Sequence, residues 1–305
     1  MNQRSVILHY HIFKNAGTTL SNALAKNFGT KFAEFDSSHY DRRLWPHELI
    51  SFLTDNPHLA AVSSHHLRPP APSLPGTNIH ELLLLRHPLD RIRSMCDFYR
   101  TADVNSDPLT ELAKKLTIPE FLKFIIDNRP NLIADAQVNL VANGGAAIPN
   151  DEDLDRATRI INKMCGIGVV EEMDLFALTT ETRLRRIFSR LDLSHSRKNV
   201  SRGRARQLQP RLRRFSAICG EVIYEELISL NQRDLKLAEL ARTEARRRLQ
   251  EIPSAEKQLK EFRLRVLRHE LGSRVEKGCR HIERLWKWTS NHATRRRRVG
   301  AGDTP

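Results

Sequence analysis

The sequence predicts an α/β fold: a P-loop-like central parallel sheet flanked by helices, with a helical C-terminal appendage. Three observations lead there. Short runs of strand formers alternate with segments of helical period, the pattern of a parallel sheet with crossover helices. Ile79–Leu85 is almost continuously apolar, as in a strand covered on both faces. Lys14-Asn15-Ala16-Gly17-Thr18-Thr19 stands between a strand pattern and a helical one, so the chain there reads strand, tight loop, helix.

Taken in order, Val6, Ile7, Leu8, Tyr10 and Ile12 form the first strand, and Leu20, Ala23 and Leu24 recur at helical spacing after the loop. A second strand is expected near Lys31–Phe35. A helix follows over Pro46–Thr54, with Pro46 in its first turn, where the missing N–H costs nothing. His58–Ser63 reads as a strand, followed by a loop with Pro69, Pro70, Pro72 and Pro75. After Ile79–Leu85, Pro88 opens a helix running to about Tyr99. Pro108–Asn143 is mainly helical, Cys165–Val170 is one more central strand, and a helix begins near Glu171. From Asp174 on, the pattern is helical or irregular.

Residues 1–250 are expected to form one domain and residues 251–305 a basic helical appendage with a disordered tip. The second segment carries 14 Lys/Arg against 7 Asp/Glu, half of the chain's net charge of +14. Leu259, Phe262, Val266 and Leu267 give it an apolar stripe, and Arg295–Arg298 form a basic run. The alternative to such an appendage is a solvated helix that packs this one apolar face on the domain.

At 40% hydrophobic and 28% charged residues, the 305-residue chain can bury a core, which argues against wholesale disorder. Its charge suits a polyanionic partner. Cys96, Cys165, Cys219 and Cys279 are widely spaced, which speaks for reduced thiols rather than a disulfide framework or zinc site. No apolar run approaches the roughly 20 residues that span a bilayer, and no signal peptide precedes the first strand. A cytoplasmic protein is expected, with the basic tail able to hold it at a membrane surface.

A strand-to-helix loop gathers backbone N–H groups and the positive end of a helix dipole at one point, an anion site. Gly17 is expected to let backbone approach a phosphate closely. Lys14 adds a charge, and Thr18 and Thr19 add hydroxyls. A Walker A loop reads GxxxxGK[ST]; here the Lys precedes the Gly, and the nucleoside triphosphatase pattern is not met. HIFKNAGTTL, His11–Leu20, resembles the 5'-phosphosulfate loop of carbohydrate sulfotransferases, which runs close to HIPKTGGTT or HIPKAGTT. These enzymes use 3'-phosphoadenosine 5'-phosphosulfate (PAPS).

LLLLRHPLDRIRSMCDFYR, Leu82–Arg100, resembles the 3'-phosphate motif of the same family: a strand, Arg-x-Pro, then Ser eight residues after the Arg. The residue types suit the task unaided, since the Arg86 guanidinium forks onto phosphate and Ser94 lies two helical turns along. VSSHHLRPP, Val62–Pro70, resembles the family's Gly-His-Leu segment, with His65 where the glycine stands in relatives. The family uses this histidine as general base. His66 is favoured and His65 is the alternative; His9 and His11 are read as packing groups. Further likeness lies in Asn131–Asn143, in Ile167–Asp174, in Lys198-Asn199-Val200-Ser201 and at Asp234.

The resemblance, over about residues 5–240, implies a PAPS-dependent sulfotransferase related to the heparan-sulfate type. It implies that Lys14, Asn15, Ala16, Gly17, Thr18 and Thr19 hold the 5'-phosphosulfate, Arg86 and Ser94 the 3'-phosphate, and that Asn199 and Ser201 close over the nucleotide. Lys14 and His66 would be catalytic, no metal would be needed, and the acceptor would be a hydroxyl of a carbohydrate, acidic ones included. Nucleic acid is not the expected partner. A P-loop kinase-like phosphotransferase and a basic glycan- or nucleic-acid-binding module with a degenerate core are the alternative readings.

Overall fold

The computed structural model describes residues 3–39, 43–103, 107–142, 148–196 and 207–272. Five strands, β1 (Arg4–Tyr10), β2 (Phe32–Glu34), β3 (Ala61–Ser64), β4 (Thr77–Leu85) and β5 (Gly166–Val169), make one parallel sheet in the order β2-β3-β1-β4-β5. β1 lies between β3 and β4, with Leu8 opposite Val62 on one side and Glu81 on the other. Three strand ends therefore lie side by side at the carboxyl edge, where open α/β sheets bind ligands.

The alternation within β4 explains the layers. Leu83 and Leu85 face one core with Val6, Leu8 and Tyr10. Leu82 and Leu84 face another with Ile7, and all four leucines are buried. The first core is covered by helices α2 (Pro46–Asp55), α6 (Ala136–Ala142), α7 (Asp151–Lys163) and α11 (Gln232–Gln250). The second is covered by α1 (Gly17–Phe28), α8 (Met173–Leu184) and a last helix over 255–272. α8 comes close to β5 because Gly168 has no side chain: a Cβ there would lie 2.9 Å from Phe176 Cβ. A short 3₁₀ turn over Val170–Glu172 separates β5 from α8, so that helix begins later than the sequence predicts.

A third apolar cluster joins α3 (Pro88–Thr101), α4 (Pro108–Lys115), α5 (Ile118–Asn128), α9 (Leu208–Cys219) and α10 (Glu221–Ser229), around Phe121 and Phe215. It anchors α3 beside the carboxyl edge of the sheet.

In the C-terminal stripe, Phe262 and Val266 are buried in the second core with Leu20, Leu24 and Phe176. Leu267 is exposed, as are Leu264 and Leu271. Arg265 pairs with Glu181 of α8 at 2.7 Å. The basic run Arg295–Arg298 lies outside the described residues. Among the described residues no helix is long and apolar enough to cross a membrane.

Candidate functional site

A cleft of about 2110 Å³ opens at the carboxyl edge of the sheet. Lys14, Ala16, Gly17, Thr18, Thr19, His65, His66, Arg86 and Ser94 all border it, so residues from three strand ends meet at one place. Asn199 and Ser201 lie outside the described residues.

The β1–α1 loop owes its shape to backbone. Lys14 (φ 67°) and Ala16 (φ 57°) are left-handed, a conformation that costs an L-residue about 1 kcal/mol or more. Ala16 is the residue before α1 and contributes no side-chain cap, and the first turn carries no acidic residue. The amides that open the helix thus meet the cleft without a side-chain acceptor supplied by the cap.

Gly17 serves a purpose beyond the one expected from the sequence. A Cβ there would lie 1.7 Å from His11 Cδ2, so the glycine makes room for a buried imidazole rather than for an approaching phosphate alone. Asn15 also departs from expectation. Its side chain is buried beneath the loop, where Nδ2 donates to the Leu84 carbonyl (2.9 Å) and to Gln137 Oε1 (2.8 Å). It fastens the loop to β4 and α6 instead of facing the cleft. The Lys14 ammonium sits 4.7 Å from the centre of the Phe98 ring, a cation–π contact.

The β4–α3 loop is held by side-chain charge. Arg86 is 5% exposed. Its Nε donates to Asp90 Oδ2 at 2.8 Å, Nη2 approaches the same oxygen at 2.7 Å, and Nη1 donates to the Lys14 carbonyl at 2.6 Å. Arg86 therefore ties the two loops together. Arg211, from α9, reaches the same Asp90 oxygen at 2.8 Å. Ser94 follows Asp90 by one turn and borders the cleft.

Behind Arg86 lies a polar core. Gln137 Oε1 accepts from the Arg86 amide (2.9 Å) and Nε2 donates to the Arg86 carbonyl (2.8 Å). Asp234 accepts from the amides of Gln137 (3.0 Å) and Val138 (2.8 Å). Burial pushes the Asp234 carboxyl up to about 6, against the pull of Arg91 and these amide donors.

The β3 end carries two histidines with different surroundings. The His65 ring stacks on His11 with centroids 3.7 Å apart, and His11 on His9 at 5.4 Å. Burial lowers the pKa of His9 and His65 and takes His11 down to about 3. His66 Nδ1 lies 3.1 Å from the Ser37 carbonyl oxygen. A carbonyl only accepts, so Nδ1 carries the proton in the neutral ring and Nε2 keeps its lone pair. Asp36 steadies the turn by accepting from the Ser64 hydroxyl (2.8 Å) and the His65 amide (2.7 Å).

Sequence reasoning missed Asp90, Arg211 and Asn139. Asn139 is buried beside the cleft, and neither of its amide atoms has a hydrogen-bond partner among the described residues. The Arg86-x₃-Asp90 spacing was a legible signal, because Arg86 stands in the loop just before α3 and Asp90 in the first turn of that helix, within reach of it. Arg211 lies 121 positions beyond Asp90 and no local pattern joins them.

No protein-family model matches the chain. Over 246 residues the chain is 26% identical to an uncharacterized protein of Archaeoglobus fulgidus, an alignment covering 77% of this chain and 95% of that protein.

Proposed function

We propose that the chain is a sulfotransferase that moves the sulfuryl group of PAPS to a hydroxyl of a carbohydrate. The observation that carries this reading is the convergence of Lys14, Gly17–Thr19, Arg86, Ser94 and His66 on one cleft at the carboxyl edge of the sheet. Two anion-binding loops joined through Arg86 and the Lys14 carbonyl suit a nucleotide with separate 5' and 3' phosphates. The volume exceeds the roughly 300–1,000 Å³ of an ordinary small-ligand pocket, which leaves room for donor and acceptor together.

In this reading the opening amides of α1, Thr18, Thr19 and Lys14 hold the 5'-phosphosulfate, and Arg86 and Ser94 hold the 3'-phosphate. His66 Nε2 takes the proton of the acceptor hydroxyl as its oxygen attacks sulfur. The bond from sulfur to the bridging phosphate oxygen breaks, and Lys14 and the loop amides stabilise the charge left on adenosine 3',5'-bisphosphate. Catalysis is then positioning and electrostatic stabilisation, as in phosphoryl transfer. Basic groups around the cleft, among them Arg68, Arg93 and Arg129, favour an anionic donor and admit an acidic acceptor.

The test is incubation with PAPS and a panel of saccharides in magnesium-free buffer, with adenosine 3',5'-bisphosphate followed by ion-exchange chromatography. Saccharide-dependent release is expected. Transfer from ATP in the presence of magnesium, with none from PAPS, would establish the kinase-like alternative instead.

A further inference from the structure

The proposed reading gives the 3'-phosphate a single arginine. We propose that Arg211 is the second arginine of that site, and that Asp90 is the positioning carboxylate that aims both at a phosphomonoester. This inference rests on the proposed function and deepens it.

Three N–H groups from two guanidiniums meet one oxygen. Asp90 Oδ2 lies 2.8 Å from Arg86 Nε, 2.7 Å from Arg86 Nη2 and 2.8 Å from Arg211 Nη1. The side chains are 6%, 1% and 14% exposed for Arg86, Asp90 and Arg211. The contacts are thus shielded from water and act in a low dielectric. The two arginines border the cleft while Asp90 does not, so the cations lie between ligand and carboxylate.

The sequence positions explain the aim. Arg86, Asp90 and Ser94 are successive fourth residues, and helix geometry puts Asp90 and Ser94 on one face of α3. Arg211 arrives on α9, which packs on α3 through Leu212 and Phe215. Among the described residues, His87, Glu171 and, beside His87, Arg242 also face the cluster. Burial takes His87 down to about 4, while Glu171 accepts from the His87 amide at 3.1 Å and is pushed up by burial.

A phosphomonoester carries close to two charges at neutral pH, and paired guanidinium forks recognise it through charge-assisted hydrogen bonds. A bridging diester offers one charge and fits such a pair less well. Adenosine 3',5'-bisphosphate carries such a monoester at the 3' position and AMP does not; the 5' monoester of AMP falls, in this reading, to the β1–α1 loop.

The experiment is calorimetry in magnesium-free buffer with adenosine 3',5'-bisphosphate and AMP as probes. Arg211→Gln is expected to weaken the bisphosphate about tenfold or more while leaving AMP unchanged. Arg211→Lys keeps the charge but loses the fork, and is expected to fall between. Asp90→Asn is expected to shrink the ratio of the two affinities, a readout that a purely structural role would not move. A bisphosphate-to-AMP ratio that stays at the wild-type value in Arg211→Gln overturns the assignment, as does equal weakening of both ligands. If Arg211→Gln does not fold, an unaltered ratio in Arg211→Lys overturns it. A wild-type protein that binds both probes equally overturns the underlying reading and this inference with it, whereas a preference that survives the variants removes Arg211 alone.

Discussion

The β1–α1 and β4–α3 loops both end a strand of the same sheet and both border the same cleft, yet they are built from different materials. The first uses backbone: two left-handed residues, a glycine under an imidazole, and the opening amides of α1. The second uses side chains: Arg86 fixed by Asp90, with Arg211 on the same oxygen. A backbone site tolerates little change in shape, while a charge site tolerates shape changes and fails when a charge is removed. The difference teaches which substitutions should act on every nucleotide and which only on those with a 3'-phosphate.

The largest expected effect lies outside both loops. His66→Ala should lower kcat by about 10² to 10⁴ while the affinity for adenosine 3',5'-bisphosphate stays near wild type. His65→Ala should do less, because its ring stacks on His11 whereas His66 is oriented by the Ser37 carbonyl. Equal loss in both variants would mean that a shared structural role, rather than proton transfer, explains the result.

Arg86→Ala should weaken the bisphosphate by roughly 2 kcal/mol, about thirtyfold, and AMP by less, through the lost tie to the Lys14 carbonyl. Gly17→Ala should behave in the opposite sense. The new methyl would collide with the His11 ring, so AMP and the bisphosphate should both weaken, by about tenfold, and Tm should fall. A Gly17→Ala protein with a normal Tm and selective loss of the bisphosphate would break the comparison.

The sequence made much of this legible. β1, β4, both loops and α3 follow from apolar runs and from proline and glycine placement, because those signals are local. The sense of the loops was partly hidden. The second use of Gly17 was hidden because the ring that fills its Cβ space belongs to His11, just past the end of β1, and sequence spacing does not announce that contact with the first residue of α1. Asn15 looked like a ligand group because its partners, Leu84 and Gln137, are 69 and 122 residues away. Asp234 matched a family position from the sequence, but its work of accepting the Gln137 and Val138 amides needed the fold. The burial of Phe262 and Val266 was one of two readings an amphipathic stripe allows, and only packing decides between them.

The smallest effect concerns acid. His9, His11 and His65 all have folded-state pKa values below the ordinary 6.5, with burial the leading cause. The unfolded chain takes up protons below about pH 6.5 that the folded stack resists, so stability is full above that pH and declines as pH falls toward 3. Tm should therefore drop between pH 7 and pH 5. His65→Phe, which keeps a ring on His11 but cannot titrate, should reduce that drop. An unchanged acid profile in the variant would place the sensitive groups elsewhere.

The central claim is that one cleft holds two phosphates of one nucleotide. Its most direct test is the pair of dissociation constants of the wild-type protein for adenosine 3',5'-bisphosphate and AMP, measured by calorimetry without magnesium. The account predicts that the bisphosphate binds at least about tenfold more tightly, since the 3'-phosphate adds charge-assisted contacts. Equal constants for the two ligands would contradict it.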